Sequence, residues 1–312
     1  MTVKPIDIVC AGEVLIDLIG TQPETPFEDT RDFHRYLGGS PTNVAVNIAR
    51  LGGRSALVAS VGKDGLGKYI MGRLIEAEVE TQHIVQKEAH PTSSILVNRT
   101  TGTPQFIAYR GADYQIEKTQ LPDILLERAK ILHTTCFGLS KQPARDSILD
   151  AAKRAANFGA QLSIDLNYSN KIWPNRLEAL EAVSEYCKHG ALVKVSQDDS
   201  DRLFGPGLSH REIFDRLHAF GAKKVCLTLG KEGAKLSDGR DNPISLEALP
   251  LEKIMDATGA GDAFWSGFLF AYLQQHNDQK CMESGLKMAA IKLQYVGRVP
   301  DYATALAEIL NN

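Results

Sequence analysis

Cysteine is scarce and unpaired in this chain of 312 residues: Cys10, Cys136, Cys187, Cys226 and Cys281 are odd in number, widely spaced and without a C-x-x-C. That excludes a disulfide framework and points to reduced, interior thiols in a cytoplasmic protein. The eight histidines are equally dispersed, with no H-E-x-x-H and no Cys/His cluster, so a zinc site has no support. No apolar run approaches the length that crosses a bilayer, and residues 1–7 lack the apolar core of a secretory signal, so no membrane partner is expected. Basic residues (35) and acidic residues (38) nearly balance to a net charge of −3. They form no stripe or block that would track a nucleic-acid backbone, which excludes nucleic acid as an expected partner. Internal repeats, low-complexity tracts and long linkers are also missing.

What remains is an ordered alternation. Residues 162–166, 191–195 and 225–229 read as core strands, and between them run helices whose apolar faces are Ile148, Ala152 and Ala155, then Leu177, Leu180 and Val183, then Ile213, Leu217 and Phe220. Such alternation predicts a doubly wound, mostly parallel sheet with helices on both faces, a three-layer α/β/α architecture. Function then belongs at the carboxyl ends of the strands. The helix that runs from Asp262 through Tyr272 is apolar all round and therefore central; Met282, Leu286, Ala289 and Leu293 outline the next. In the first third, residues 8–12 and 57–61 read as strands, with Val44, Ile48 and Leu51 marking a helix between them. Residues 14–37 and 91–113 resist this scheme and read as short antiparallel strands outside the main sheet. The expectation is one domain, 1–312, with these two stretches inserted as a β-sheet lid over the active edge.

The run Asp256-Ala257-Thr258-Gly259-Ala260-Gly261-Asp262, followed at once by an apolar stretch, reads as an anion-holding turn that opens a buried helix. Gly259 and Gly261 allow close approach of a ligand, and the free N–H groups of a first helical turn, with the dipole behind them, attract negative charge. Asp262 lies in that same turn, placed to act as base on a hydroxyl during phosphoryl transfer. Beside a helix N-terminus it is a weak base, which suffices where the proton leaves late. Taken alone, it reads more readily as an ordinary first-turn acid, and the rest of the chain has to decide. Upstream, Gly38-Gly39-Ser40-Pro41-Thr42-Asn43 opens a helix with backbone open to a ligand and an amide that both donates and accepts, attributes suited to a sugar. Its bland reading is a tight turn with Ser40 or Thr42 as N-cap. Asp17, just past the first strand, suits two sugar hydroxyls or is a solvated turn acid. Residues 62–69 nearly spell a Walker loop, but Tyr69 stands where the magnesium-binding hydroxyl belongs. Thr228, Gly230 and Gly233 follow a strand, either as bare backbone for a nucleotide or as a hairpin turn. Lys194, Ser196 and Asp199 sit at another strand's end, where an acid suits a metal-bound water that orients phosphates.

In this order, and over nearly the whole chain, these motifs resemble the ribokinase-like (PfkB) family of sugar kinases. The resemblance implies a three-layer α/β domain with a small β-lid and transfer of the γ-phosphoryl of ATP, with Mg2+, to a primary sugar hydroxyl. It makes Asp262 the catalytic base and Gly259, Ala260 and Gly261 the anion hole. It places Asp17, Gly38, Gly39 and Asn43 on the sugar, Lys194, Ser196, Thr228, Gly230 and Gly233 on the nucleotide, and Asp199 on the magnesium. Asp256 and Thr258 match a loop that in many relatives binds a monovalent cation, usually K+. Two departures stand out. The family's N-x-x-E is here Ser196-Gln197-Asp198-Asp199, with a shortened acid; and Ser169, in the run that starts at Asp165, replaces an arginine, with Lys171 the nearby cation.

In the fructokinase and acid-sugar branches an aromatic residue and an arginine reach from the lid to the substrate, and Tyr109-Arg110 match them. Fructose is the first expected substrate and 2-keto-3-deoxygluconate the second, since an arginine pairs with a carboxylate. Arg110 facing solvent is the bland alternative. A non-enzymatic reading, a silent regulator that binds sugar or nucleotide, stays open, as does a homodimer through the lid. A dinucleotide-dependent oxidoreductase does not: Ala11-Gly12-Glu13-Val14-Leu15 supplies no G-x-G-x-x-G.

Overall fold

The computed structural model describes residues 5–100, 105–240, 242–297 and 299. Its strands are β1 (Ile6–Ala11), β2 (Leu15–Pro23), β3 (Phe33–Gly38), β4 (Ser55–Gly62), β5 (Ile84–Lys87), β6 (Ser94–Arg99) and β7 (Phe106–Tyr109), then β8 (Ala129–Thr135), β9 (Gln161–Asp165), β10 (Leu192–Ser196), β11 (Lys224–Thr228), β12 (Ala234–Ser237) and β13 (Ile244–Leu246). The helices are α1 (Ser40–Arg50), α2 (Gly65–Glu76), α3 (Asp123–Leu126), α4 (Ala144–Asn157), α5 (Arg176–Cys187), α6 (Gln197–Phe204), α7 (His210–Ala219), α8 (Ala260–Leu273) and α9 (Asp278–Leu293).

Among the described residues nine strands form one sheet in the order β13-β12-β11-β10-β9-β8-β1-β4-β5. From β5 to β11 every pairing is parallel, and β12 and β13 add an antiparallel margin. The central strands are buried on both faces, which is why they read as near-continuous apolar runs rather than alternating ones. Chain order reverses between β1 and β8: from β1 the chain first runs outward through β4 and β5, then returns beside β1 and marches the other way. Such a switch point leaves a crevice at the strands' carboxyl ends.

Two apolar clusters, one on each face, hold the layers. Helices α4, α5 and α7 cover one face through Ile148, Ala152, Val183, Tyr186, Ile213 and Leu217. Helices α1, α2, α8 and α9 cover the other. As the all-round apolar sequence implies, α8 is buried from Ala263 to Ala271. Helix α9 lies unusually close to it, because a Cβ at Gly267 would stand 2.5 Å from Ser284 O and one at Gly285 2.9 Å from Phe264 O. On α5 the sequence places Leu177 on the apolar face, but it is 64% exposed. The face that packs is Ala179, Ala182, Val183 and Tyr186, and Leu177 lies in the first turn, its N–H taken by the Asn175 cap.

The second sheet is the lid, with order β3-β2-β6-β7. Its hairpin pairs β2–β3 and β6–β7 are antiparallel as the alternation suggests, but β2 and β6 run parallel. The chain leaves the lid along β3, passes through α1, β4, α2 and β5, and returns along β6 in the opposite direction, which sets β6 parallel to β2. The near-Walker stretch is a connection: Asp64 caps α2 and accepts the Thr92 N–H at 2.8 Å and its hydroxyl at 2.7 Å, which ties the main sheet to the base of the lid.

Candidate active site

The strand ends converge as the topology requires. Glu13 follows β1, Thr135 ends β8, Asp165 ends β9, Ser196 ends β10 and Thr228 ends β11, while α8 points its N-terminus at this edge. Gly259 is the N-cap of α8, in the left-handed conformation at φ 76°, which spares it the Cβ strain any other residue would bear. Asp262 stands in the first turn. Its Oδ1 accepts from Ser40 Oγ at 2.7 Å and its Oδ2 from Asn43 Nδ2 at 2.8 Å. The glycine-pair turn and the glycine-rich helix start, 219 residues apart from Asn43 to Asp262, thus share one carboxylate.

That contact decides against the N-cap reading of Ser40 and Thr42. Helix α1 starts on Gly39 with no side-chain cap bond; Ser40 spends its hydroxyl on Asp262, and Thr42 Oγ1 donates to Glu13 O at 3.1 Å. Gly39, at φ 101°, has its missing Cβ 2.3 Å from that same Glu13 oxygen. At Gly38 a Cβ would stand 2.2 Å from Asp17 Oδ2, so the first glycine exists to seat the Asp17 carboxylate. Asp17 is no solvated turn acid: it is half-buried in β2. Burial first, and then the Asp262 and Asp256 charges, push its pKa up to about 7 against the pull of Lys292. A cavity of about 320 Å³ opens here, lined by Asp17, Arg35, Asn43, Tyr69, Gly259 and Lys292 among others.

Glu13 carries no motif and was missed; its only signal is an acid directly after a core strand. It is 2% exposed, and its Oε1 accepts from Ser40 N at 3.2 Å and its Oε2 from Thr135 Oγ1 at 2.8 Å. Burial drives its pKa up to about 8, although hydrogen bonds and the Arg110 charge oppose the rise. It braces the glycine-pair turn from below, at the switch point between β1 and β8.

On the nucleotide side, Lys194 donates to both oxygens of Asp165, at 3.0 and 2.9 Å, and the two are partners in the β9–β10 register. Burial alone would lower the lysine, but Asp165 and then Asp199 outweigh it and hold its pKa up at about 12. Its Nζ lies 2.8 Å from where a Cβ on Gly261 would be. The second glycine of the helix start therefore makes room for an ammonium just behind the anion hole. Ser196 caps α6, accepting from Asp199 N at 3.0 Å and donating to Asp199 Oδ2 at 2.6 Å. Arg202 holds Asp199 Oδ1 at 3.0 Å. With both oxygens engaged, Asp199 is suited to a metal ion only through water. Among the described residues no group of three or more His, Cys, Asp or Glu side chains stands ready for a metal.

The strand-end residues Thr228, Gly230 and Gly233 form the β11–β12 hairpin, and its two glycines differ. Gly230 has open space where its Cβ would be, whereas one at Gly233 would stand 2.0 Å from Leu246 O. Bare surface for a ligand is offered at the first; packing against β13 explains the second.

Tyr109 and Arg110 part company. The tyrosine is 59% exposed, while Arg110 turns inward, as neighbouring strand residues do. Its Nε and Nη2 donate to Asp113 Oδ2 at 2.9 and 2.6 Å, its Nη1 to Ser140 Oγ at 2.5 Å, and it lies 4.3 Å from the Phe137 ring centre. Arg110 does not face solvent. Lys171 donates to Phe106 O at 3.0 Å, tying its loop to the lid instead of replacing a guanidinium at Ser169. In the remaining loop Asp256 is fully buried, with Oδ1 accepting from Thr258 N at 3.1 Å; its Oδ2 and Thr258 Oγ1 are buried without a hydrogen-bond partner.

Residues 5–304 match the model of the pfkB family carbohydrate kinases. The chain belongs to the PfkB family of carbohydrate kinases. A 6-phosphofructokinase described as ATP-dependent, from Thermoanaerobacterium thermosaccharolyticum, is 36% identical over 299 residues, 96% of this chain and 91% of that protein. The fructokinase structure from Halothermothrix orenii superposes with a TM-score of 0.77 at 34% identity, covering 90% of this chain and 98% of its own. A fructokinase double mutant from Vibrio cholerae O395, with fructose, ADP and a potassium ion bound, gives 0.83 at 27% identity, covering 98% and 99%. The fold expectation and the kinase expectation are borne out: this is a phosphotransferase with an alcohol acceptor and the ribokinase-like fold.

Proposed function

We propose that this PfkB kinase transfers the γ-phosphoryl of ATP to a primary hydroxyl of fructose, with Asp262 as base and the amides of Gly259 and Gly261 as anion hole; the third expected amide, that of Ala260, is taken by Ala257 O at 3.2 Å, which closes the turn before the helix. The observation that carries the reading is the clasp of Ser40 and Asn43 on Asp262. It brings the sugar-side turn and the phosphoryl-side helix start to one carboxylate, as a hydroxyl that attacks a phosphorus requires. Asp17, Gly38, Gly39 and Asn43 are proposed to hold the sugar. Lys194, with its charge beside the anion hole, is proposed to meet the ATP phosphates, and Ser196, Thr228 and Gly230 to border the nucleotide. Gly233 shapes the hairpin beside them. Mg2+ accompanies ATP in this reading, reached through water by Asp199, and supplies charge neutralisation to the phosphates. Closure of the lid then excludes water, so that sugar and not water takes the phosphoryl.

The structural support for fructose over 2-keto-3-deoxygluconate is the commitment of Arg110. A carboxylate substrate needs a free guanidinium, and this one is held by Asp113 and Ser140. A second acceptor, fructose 6-phosphate, is favoured by Arg35, which lines the cavity beside Asp17 and stacks 3.9 Å from the centre of the Tyr69 ring; its guanidinium suits a phosphate. ADP release from ATP, measured with fructose, fructose 6-phosphate, 2-keto-3-deoxygluconate, ribose and nucleosides, tests the reading. Fructose is expected to give the highest kcat/KM, a higher value for an anionic sugar overturns the substrate, and no turnover with any acceptor restores the silent regulator. Ile107 and Tyr109 stand exposed on the lid's outer strand, and we propose them as a homodimer contact, which sedimentation would check. Among the described residues no helix is long and apolar enough to cross a membrane, and all five cysteines are free and buried, in keeping with a cytoplasmic enzyme.

A further inference from the structure

Beside the loop of Asp256 and Thr258 stands a side chain that no motif announced. Lys292, in the last turn of α9, is buried, with 8% of its side chain exposed, and its Nζ lies 3.8 Å from Asp256 Oδ2, the oxygen that has no hydrogen-bond partner. Its Cε packs 3.6 Å from where a Cβ on Gly259 would stand. The ammonium donates to Tyr295 O at 3.1 Å. Besides that bond to a carbonyl just past the helix end, the side chain is buried against Asp256; burial lowers its pKa, and the Asp256, Asp262 and Asp17 charges oppose the fall. A mobile cation at the same loop would share those acids with a fixed ammonium. Like charges a few ångströms apart repel strongly in so dry a place, and Lys292 already occupies the approach to the unpartnered Asp256 Oδ2, so this loop fits a fixed ammonium better than a bound K+.

We propose that the Lys292 ammonium takes the place of the monovalent cation in this chain, neutralising Asp256 from within and holding the loop that leads into Gly259, Ala260 and Gly261. The inference rests on the kinase reading of that loop. Its consequence is an enzyme indifferent to K+. A positioning residue of this kind acts through the loop and does not touch substrate, so its test needs a readout apart from turnover.

That readout is thermal unfolding of the unliganded protein in KCl against tetramethylammonium chloride at equal ionic strength. For the natural chain the two midpoints are expected to agree within about 1 °C, because nothing binds K+ to the folded state alone. In Lys292→Ala, K+ is expected to raise the midpoint by about 2 °C or more, as the vacated position by Asp256 takes up the ion. Turnover is expected to differ by less than about twofold between the salts for the natural chain, and K+ is expected to rescue the variant by about fivefold or more. Lys292→Met, which keeps the length and removes the charge, answers the same question should the alanine variant not fold. A K+-specific rise in midpoint or a large K+ activation of the natural chain overturns the proposal. So does a folded Lys292→Ala or Lys292→Met that ignores K+ in both readouts. Should neither variant fold, the salt comparison on the natural chain decides alone. Absence of ADP release with every sugar would strike the kinase reading, and the thermal comparison would still report on the ammonium.

Discussion

Replacing Asp262 with asparagine separates a catalytic carboxylate from a structural one. The side chain stands between two donors, Ser40 Oγ at 2.7 Å and Asn43 Nδ2 at 2.8 Å. In Asp262→Asn the new amide keeps one acceptor and gains a donor; a turn of the Asn43 amide or of the Ser40 hydroxyl pairs both again. What is lost is the charge assistance in two hydrogen bonds, about 1 kcal/mol each, and a favourable first-turn acid worth about 0.3–1 kcal/mol. In a chain of this size, at roughly 1.5 °C per kcal/mol, that lowers Tm by a few degrees, about 3–5 °C. The base is removed altogether, so kcat is expected to fall by about a hundredfold to ten-thousandfold, or about 3–5 kcal/mol of transition-state stabilisation. KM for fructose is expected to stay within about threefold, because the groups that line the cavity remain. Coupled ADP-release kinetics and a thermal melt on the same preparation read both quantities. Turnover within about tenfold of the natural chain, or a loss of activity that merely tracks unfolding at the assay temperature, would refute the catalytic assignment.

Three further outcomes follow from contacts at the site. Gly38→Ala places a Cβ 2.2 Å from the present position of Asp17 Oδ2, so the carboxylate must leave; KM for the sugar is expected to rise about tenfold or more with kcat less affected, and an unchanged KM would remove Asp17 from the sugar site. Gly261→Ala is not at a positive φ and gains about 1 kcal/mol of helix propensity, but it displaces the Lys194 ammonium; ATP kinetics are expected to suffer while Tm holds, and a protein that melts early with normal kinetics would count against Lys194 as a phosphate ligand. Glu13 keeps its proton in the folded state up to about pH 8, whereas the unfolded chain releases it in the ordinary carboxylate range. Between those values the native state binds more protons, so stability falls as pH rises, and Asp17 acts in the same sense up to about 7. Glu13→Gln removes one of these slopes, so its Tm should gain on the natural chain from about pH 5 to about pH 8; parallel pH curves would show that Glu13 is ionised when folded.

Local chemistry was enough to reveal the layers and the two ends of the site. Apolar runs bounded by turns mark β1, β4 and β9–β11 because a doubly covered parallel strand has no polar face, and the all-round apolar α8 announces its central place. The glycines at 38, 39, 259 and 261 are visible because close approach leaves a compositional trace. The sequence could not tell which atom each of them approaches: Asp17 at Gly38, Glu13 O at Gly39, Lys194 at Gly261. Those partners come from other elements of the chain, tens of residues away, and a spacing rule carries no information about them. For the same reason Glu13 and Lys292 passed as an ordinary acid and an ordinary helix lysine. Only the tertiary structure buries them among opposite or like charges, where a side chain's cost and its use are both decided by its surroundings. Arg110 is the converse case: its residue type suggested a substrate ligand, and only the fold shows it held by Asp113 and Ser140.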